Sequence, residues 1–233
     1  MRIVALSDTH GQHGHIAVPP GDVLIHAGDL TLHGELDELS AVGAWLASLP
    51  HRHKLVVAGN HDLCFMLDPT ACCELLPDAI VLEDAACEID GVRFYGTPWH
   101  DYPTGWAFAL PRGPLLRRKW LQIPRGTDIL ITHGPPAGVM DWTNGGISLG
   151  CADLRAAVEE LAPALHLFGH VHERAGVATG GTTTFVNAAI LDERYELARA
   201  PVVLDVTLGE RRGWRHVAVE VAPPLPTQSA FDW

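Results

Sequence analysis

Five short apolar runs along the chain each end in side chains that can bind a metal ion. The runs are rich in Val, Ile and Leu, and they read RIVALSDTH, DVLIHAGD, KLVVAGNHD, DILITH and LHLFGHVH. Short apolar runs that are bounded by turn residues predict buried strands. Because ligands in open α/β sheets bind beyond the carboxyl ends of the strands, the polar residues after these runs should meet at one edge.

The first half of the chain alternates predicted strands with a predicted helix. Residues 2–7, 22–27 and 54–58 have strand patterns, and Glu35–Leu49 carries apolar residues at helical spacing until Pro50. Strand–helix–strand order implies parallel pairing through right-handed crossovers.

The second half is richer in predicted strands, and Asp90-Gly91 predicts a hairpin turn between two of them. The predicted strands are 79–83, 86–90, 91–95, 128–132, 165–168, 182–187, 201–207 and 214–221, and the predicted helices are Leu115–Leu121 and Ala152–Leu161. We expect the final segment, PPLPTQSAFDW, to be a surface strap or frayed. The whole pattern predicts an α/β fold, with two mixed sheets face to face and helices outside them, in one domain over residues 1–233.

Composition agrees with a globular protein of a reduced compartment. The chain is 47% hydrophobic, and its apolar stretches fall short of the roughly 18–20 residues that a membrane span requires. The first apolar run breaks at Ser7-Asp8, too early for a secretory signal. The five cysteines are odd in number and form no CxxC pair. We therefore expect a cytoplasmic protein without disulfides and without a membrane partner.

The formal net charge of −12 at pH 7 bears on the binding partner. So acidic a surface repels polyanions, which argues against duplex nucleic acid. Two divalent ions would bring four positive charges, of which Asp8 and Asp29 would cancel two. The pocket would then be locally positive, and a small phosphoester is the expected partner.

Seven of the side chains after the apolar runs are candidate metal ligands. They are Asp8, His10, Asp29, Asn60, His133, His170 and His172. Asp8 and His10 stand two positions apart, as do His170 and His172, and in extended backbone such residues point to the same side. The Asp29 carboxylate has two oxygens and could bridge two cations. Mixed nitrogen and oxygen ligands without thiolate suit Mn²⁺, Fe or Zn²⁺.

These motifs also carry a family resemblance. DTH, GD, GNHD, TH and GHVH, in this order from Arg2 to about Val206, resemble the calcineurin-like metallophosphoesterases. LPHRHKLVVAGNHD, YGTPWH, GWAF, ILITHGPPAG and FGHVHE resemble, more narrowly, their metallophosphoesterase-domain subgroup, which is similar to class III cyclic-nucleotide phosphodiesterases. The resemblance implies a four-layer αββα sandwich and a two-metal phosphoesterase site.

When the family's motifs are matched to this sequence one by one, the resemblance assigns the ligands to two divalent ions. Mn²⁺ is the first choice, and Fe or Zn²⁺ are the alternatives. Asp8, His10 and His172 would bind the first ion, Asn60, His133 and His170 the second, and Asp29 would bridge them. Some animal members of the subgroup have Gly in place of the last His. This chain keeps His172, so both sites should fill.

The expected reaction is direct attack of a metal-bridging hydroxide on phosphorus, without a phosphoenzyme. His61 lies next to a ligand in the sequence without being one. It is the candidate for protonating the leaving oxygen or stabilising the phosphoryl group. Asp62 is expected to orient the His61 imidazole and keep it protonated.

Substrate contacts are expected from Asn60 and His61 and from two aromatic segments. Trp99, His100, Tyr102 and Trp106 in the loop 97–112, with Trp142 after THGPPAG, would form a wall on which a nucleobase stacks. A packed Ω-like loop is the alternative for residues 97–112. Among the other histidines, His26 is expected in the core and His51 on the surface.

The leading hypothesis is a metal-dependent phosphodiesterase. The resemblance implies activity on 2′,3′- or 3′,5′-cyclic nucleotides and on artificial aryl diesters. Motif chemistry alone does not select a diester over a monoester, so a phosphomonoesterase or nucleotidase stays open. A non-catalytic metal-binding interaction scaffold is the second alternative. The acidic charge argues against a nucleic-acid exonuclease, and the oligomeric state cannot be read from the sequence.

Overall fold

The computed structural model describes residues 1–101, 105–211 and 214–222, whose strands form two mixed sheets of six strands each. In chain order the strands are β1 (Arg2–Leu6), β2 (Val23–Ala27), β3 (His53–Val57), β4 (Ile80–Val81), β5 (Ala85–Ile89), β6 (Val92–Thr97), β7 (Ile129–Thr132), β8 (Leu165–Phe168), β9 (Gly176–Gly180), β10 (Thr183–Asn187), β11 (Val202–Arg211) and β12 (Trp214–Val221). The α-helices are α1 (Leu36–Ser48), α2 (Cys64–Leu67), α3 (Pro69–Leu75), α4 (Pro114–Trp120) and α5 (Ala152–Leu161). Short 3₁₀ helices cover His13–His15 and His172–Arg174.

Each sheet has a parallel centre and antiparallel strands at its edge. The first sheet has the order β12-β11-β1-β2-β3-β4, and the second has the order β5-β6-β7-β8-β10-β9. β1 to β4 pair in parallel, as do β6, β7, β8 and β10. The parallel strands of each sheet therefore end at one edge, where the predicted ligands follow them.

Alternate residues of the same strand pack into different layers. Ile3 points into the core between the sheets with Phe94 of the second sheet, whereas its neighbour Val4 packs with Leu39 of α1. On the far side, Leu130 packs with residues of α4 and α5. Because both faces of these strands are covered, their sequences read as continuous apolar runs. The arrangement confirms the expected α/β fold with four αββα layers.

Some elements differ from the sequence-based expectation. Residues 64–75 form α2 and α3, which the apolar pattern does not predict because both helices are short. Pro69 opens α3, and the Asp68 carboxylate caps it by accepting a hydrogen bond from the Ala71 amide at 3.0 Å. The pattern also fails to predict β9, a largely exposed edge strand of sequence GVATG, because it has too few apolar residues to form a run. The predicted C-terminal strap lies outside the described residues.

The prediction for His26 is confirmed, and that for His51 is wrong. His26 is fully buried, with Nε2 at 3.0 Å from the Thr9 hydroxyl. His51 is also buried, and its Nε2 donates a hydrogen bond to the Pro19 carbonyl at 3.0 Å. All five cysteines are free thiols. Within the described residues, every helix is too short or too polar to span a membrane.

Candidate metal centre

The loops after β1, β2, β3, β7 and β8 bring the seven predicted ligands together at one edge of the sandwich. Backbone hydrogen bonds join these loops: the Asp8 amide donates to the Gly28 carbonyl, and the Gly169 amide to the His133 carbonyl, each at 2.9 Å. The first sheet supplies Asp8, His10, Asp29 and Asn60, and the second supplies His133, His170 and His172. The centre is therefore built from both sheets.

The first group of ligands contains Asp8, His10 and His172, whose donor atoms all lie within 4.8 Å of one another. Nε2 of His172 is 3.3 Å from Oδ1 of Asp8 and 3.3 Å from Nε2 of His10. All three side chains are buried. This spacing fits a single cation held between one carboxylate and two imidazoles.

The second group contains Asp29, His133 and His170, again within 4.8 Å. Nε2 of His133 is 3.3 Å from Oδ2 of Asp29 and 2.9 Å from Oδ1 of Asn60. The same Oδ2 lies 3.7 Å from Nε2 of His10 in the first group. The Asp29 carboxylate thus stands between the two groups, where a bridging ligand would have to be.

The orientation of the imidazoles tests whether this centre fits metal ions. Nδ1 of His133 donates to the Ala27 carbonyl at 3.0 Å, and Nδ1 of His172 donates to the Asp192 carbonyl at 2.8 Å. Each ring therefore turns its Nε2 atom towards the carboxylates. Backbone carbonyls orient metal-binding histidines in this way. The side chains present thus fit two divalent cations.

Electrostatics keeps the carboxylates in the form that binds metal. Burial by itself would raise the pKa of Asp29, but the charge and hydrogen bond of His133 lower it well below the usual range. The pKa of Asp8 is likewise lowered, against its burial, by His172. Burial lowers the pKa of His10 to about 4, so this imidazole is neutral at pH 7. Asp29 and Asp8 in turn raise the pKa of His133 and His172 to about 9, against the effect of burial, so a cation that binds these imidazoles would displace their protons.

The backbone at the ligands is left-handed, which contradicts the expectation of extended backbone at DTH and HVH. The values of φ are 56° at Asp8, 42° at His10, 54° at Asp29 and 68° at His170. Residues other than glycine adopt this region at a cost of about 1–3 kcal/mol each, and they concentrate at functional sites. Sharp turns, rather than strand alternation, therefore direct these side chains into one centre.

Two glycines of the motifs make room for ligands on neighbouring loops. A Cβ atom at Gly59 would lie 2.2 Å from Oδ1 of Asp29, and one at Gly169 would lie 2.1 Å from Oδ2 of Asp8. Any larger residue would displace these carboxylates. The glycines of GNHD and GHVH are thus part of the geometry of the centre.

His61 borders the centre, as expected, but Asp62 does not orient it. The His61 ring centroid is 4.6 Å from that of His10, and its Nδ1 donates to the Leu32 carbonyl at 2.8 Å. The Asp62 carboxylate is buried, and it accepts hydrogen bonds from the backbone amides of Gly59, Leu30 and Thr31 and from the Thr31 hydroxyl. Burial raises the pKa of Asp62 to about 6. Asp62 therefore fastens together the two loops that carry Asp29 and Asn60.

Two cavities open beside the centre, and Asn60, His61 and Trp106 line both of them. The first, of about 220 Å³, also borders Asp29, His170, His172 and Tyr195. The second, of about 320 Å³, is completed by aliphatic side chains such as Leu32 and Leu63. Of the predicted aromatic wall, Trp106 alone lines these cavities within the described residues.

Trp99 and His100 line neither cavity and are held by hydrogen bonds within the fold, so their contact with substrate stays a prediction. Nε1 of Trp99 donates to the Asp84 carboxylate at 3.0 Å, and the ring lies 5.5 Å from Phe108. His100 is buried and donates from Nε2 to the Ala107 carbonyl at 2.9 Å. This part of the loop follows the packed alternative.

Trp142 is half exposed on a separate loop and lines neither cavity, and Tyr102 lies outside the described residues. Sequence reasoning does not find Tyr195, whose ring centroid is 4.7 Å from His10 and 5.2 Å from His172. It stands in the polar segment LDERYE, which offers no apolar run or motif. Tyr195 reaches the metal centre only because the folded chain turns at this segment.

Comparison with known proteins identifies the class of this centre. A family model described as calcineurin-like phosphoesterase matches residues 1–174. The human protein named metallophosphoesterase domain-containing protein 1 is 42% identical over 230 residues, which cover 88% of this chain and 71% of the relative. UPF0046 protein C25E10.12 of Caenorhabditis elegans is 42% identical over 230 residues, covering 89% and 82%. The chain therefore belongs to the calcineurin-like phosphoesterase family.

The fold agrees with this membership. The crystal structure of TT1561 of Thermus thermophilus superposes with a TM-score of 0.56, at 15% identity, over 80% of this chain and 88% of that one. At so low an identity the likeness concerns the fold alone. Family membership and the ligand groups together indicate a metal-dependent phosphoesterase.

Proposed function

We propose that this protein hydrolyses phosphodiesters, with cyclic nucleotides as the substrates, and that it uses two divalent metal ions. Mn²⁺ is the preferred ion, with Fe or Zn²⁺ as alternatives. The observation that carries the proposal is the buried Asp29 carboxylate between two groups of imidazoles and carboxylates. Free thiols agree with a cytoplasmic location, which stays a prediction.

Bound divalent ions supply Lewis acidity, which activates water and offsets the charge of the phosphoryl oxygens. Asp8, His10 and His172 would hold one ion, and Asn60, His133 and His170 the other, with Asp29 shared. His61 lies beside both groups with Nδ1 bound to the Leu32 carbonyl, so its Nε2 is the atom available to the substrate. It would donate a proton to the leaving oxygen or a hydrogen bond to the phosphoryl group.

The two cavities favour a diester over a monoester. His61 and Trp106 stand between them, so a phosphoryl group at His61 has space for organic groups on both sides. A monoester carries one organic group and would leave one cavity to water. In a cyclic nucleotide the sugar carries both ester oxygens, and the base would extend along Trp106.

The alternatives make different predictions. A nucleotidase would need to favour the dianionic phosphate of a monoester, and the described cavities provide no lysine or arginine for that extra charge. A non-catalytic scaffold would not need a buried, complete set of ligands with His61 beside it. These observations support turnover of a diester.

A substrate panel on protein of measured metal content tests the proposal. The substrates are bis(4-nitrophenyl) phosphate, 4-nitrophenyl phosphate, and the 2′,3′- and 3′,5′-cyclic nucleotides. We expect kcat/KM to be at least about tenfold higher for diesters, which corresponds to about 1.4 kcal/mol in the transition state. A preference for the monoester would reassign the protein as a phosphomonoesterase, and inactivity on the whole panel with both sites loaded would favour the scaffold.

A further inference from the structure

We propose that Tyr195 is a substrate-binding residue, and that it and Trp106 hold a planar, uncharged heteroaromatic base in the smaller cavity. The inference rests on the proposed function, because it names the part of the substrate next to the phosphoryl group. The two rings line the cavity of about 220 Å³ together with His61. They are 41% and 42% exposed, so each presents a face to an incoming ligand.

The rings of Tyr195 and Trp106 both lie close to His61. The centroid of Trp106 is 4.6 Å from that of His61, and the centroid of Tyr195 is 6.4 Å from it. A phosphoryl group that contacts His61 would therefore place its organic group within reach of two aromatic side chains that line the same cavity. Stacking on aromatic rings is the usual way in which proteins bind a base without distinguishing one base from another.

The turn that carries Tyr195 is fixed to the metal centre. Oδ1 of Asp192 accepts hydrogen bonds from the amides of Arg194 at 2.9 Å and Glu196 at 3.0 Å. The carbonyl of Asp192 orients the His172 imidazole, as described above. The carbonyl of Tyr195 itself accepts from the Gln12 side chain at 2.8 Å. One turn thus positions a metal ligand and an aromatic wall, which ties the place of the base to that of the phosphate.

The larger cavity is a poorer place for a base. Apart from Trp106, its walls are formed by groups such as Leu32, Leu63 and Ala107. These aliphatic side chains can cover an alkyl or sugar group, and His33 adds only a small imidazole ring to this wall. Within the described part of the chain, a pair of large aromatic rings lines only the smaller cavity, where Tyr195 faces it with Trp106.

Two carboxylates limit the charge of the ligand in the smaller cavity. Glu173 and Glu193 line it, and Oε1 of Glu173 is held by the Asn144 amide at 3.1 Å. Their negative charge would repel a second phosphate group. The cavity therefore suits a neutral base attached to a single phosphoryl group.

Binding measurements on metal-loaded protein test this inference without depending on turnover. The probes are adenosine 5′-monophosphate and ribose 5-phosphate, which differ by the base, and their Kd values are measured by calorimetry. Tyr195 has φ 62°, so Tyr195→Asn is the chosen truncation, because asparagine tolerates left-handed backbone. Tyr195→Phe retains the ring. Leu197→Asn is the matched control, since Leu197 is 44% exposed in the same segment and lines neither cavity.

We expect Tyr195→Asn to weaken binding of the nucleotide about tenfold or more, as loss of one stacking contact does, and to leave ribose 5-phosphate unchanged. Tyr195→Phe and Leu197→Asn should bind both probes within about twofold of the parent. Metal content should be equal in all variants.

Three results would overturn the inference. The first is equal binding of both probes by the parent, since no base is then recognised. The second is a Tyr195→Asn variant that weakens both probes alike or loses metal, which would make the ring a support for His10 and His172. The third is a Leu63→Trp variant that loses the preference for the nucleotide while Tyr195→Asn keeps it. Because Leu63→Trp narrows the larger cavity, that result would place the base there. Failure of the proposed function would look different, because recognition of the base would persist in a protein that hydrolyses no ester.

Discussion

The imidazole of His61 is positioned by the hydrogen bond from its Nδ1 to the Leu32 carbonyl and by ring contacts with His10 and Trp106. Replacing it with alanine should therefore lower turnover by about a hundredfold or more, the usual contribution of a positioned acid. The metal content should be unchanged, because Asp29, His133 and the other ligands remain. Steady-state kinetics and elemental analysis of the same sample would check both expectations.

His15→Ala is a suitable control, because this histidine is exposed and lies away from the centre. His61 also lies near Asp29 and His10 in a group that could hold a cation. Loss of metal from His61→Ala would therefore identify it as a ligand, and the role as proton donor would be abandoned.

The sequence predicts the chemical types of the site residues better than their conformations. Donor atoms follow apolar runs in a recognisable order, so the identity of the ligands can be proposed from the motifs. The left-handed backbone at Asp8 and His170 cannot, because it results from contacts between loops that are distant in sequence. For the same reason the sequence predicts a contact between the Asp62 carboxylate and His61. In the structure this carboxylate instead accepts hydrogen bonds from backbone amides. Tyr195 has no local signal at all.

Helix α1 offers a test at the level of a secondary-structure element. The Glu38 carboxylate accepts hydrogen bonds from the amides of Leu32 at 3.2 Å, His33 at 3.0 Å and Glu35 at 3.1 Å. It completes a capping box at the start of the helix. It also fixes the loop whose Leu32 carbonyl orients His61.

Glu38→Ala should lower the free energy of unfolding by about 0.5–2 kcal/mol, the cost of losing a helix cap. Urea unfolding followed by circular dichroism would measure it. Glu38→Gln keeps an acceptor oxygen and should lose less than alanine does. Equal stability of the alanine variant and the parent would show that water replaces the cap without cost.

The main strands are predictable because burial on both faces leaves a continuous apolar run, as in β1 and β2. The short helices α2 and α3 are not, since a few residues do not establish a helical period. β9 is not predicted because it is a largely exposed edge strand whose residues are mostly small. The apolar pattern of the sequence thus predicts the buried central strands of each sheet, but it does not predict short helices or an exposed edge strand.

His166, a residue on β8, should contribute to the dependence of the free energy of unfolding on pH. It is fully buried, with Nε2 at 2.9 Å from the Thr132 hydroxyl and the ring near Phe168 and Phe185. Burial lowers its pKa from 6.5 to about 3. Between these values the unfolded chain binds a proton at this histidine and the folded protein does not. Stability should therefore fall as the pH falls from 6.5 towards 3, by about 1.4 kcal/mol per pH unit for this group.

His166→Gln should reduce the slope of unfolding free energy against pH by that amount over the same window. The exposed His15→Gln should leave the slope as in the parent. Unfolding by urea at several pH values would provide the slopes. Identical slopes for His166→Gln and the parent would contradict the assignment of a neutral, buried imidazole.

Two sheets and a shared set of ligands define the molecule as a whole. The order of predicted elements indicates mixed sheets with helices outside, and the family resemblance implies the four layers. The motifs predict that the loops after β1 to β3, β7 and β8 meet, but the division of these strands between two packed sheets is seen only in the folded structure. The metal centre exists only where both sheets contribute to it.

Elemental analysis joined to kinetics on Asp29→Asn tests the two-metal account most directly. The account predicts about two divalent ions per chain in the active parent, and in the variant the loss of one or both ions with at least about a hundredfold lower hydrolysis. The asparagine retains the size of the side chain, and an unchanged circular dichroism spectrum would verify the fold. Full activity in Asp29→Asn, or an active parent that contains no transition metal, would contradict the account.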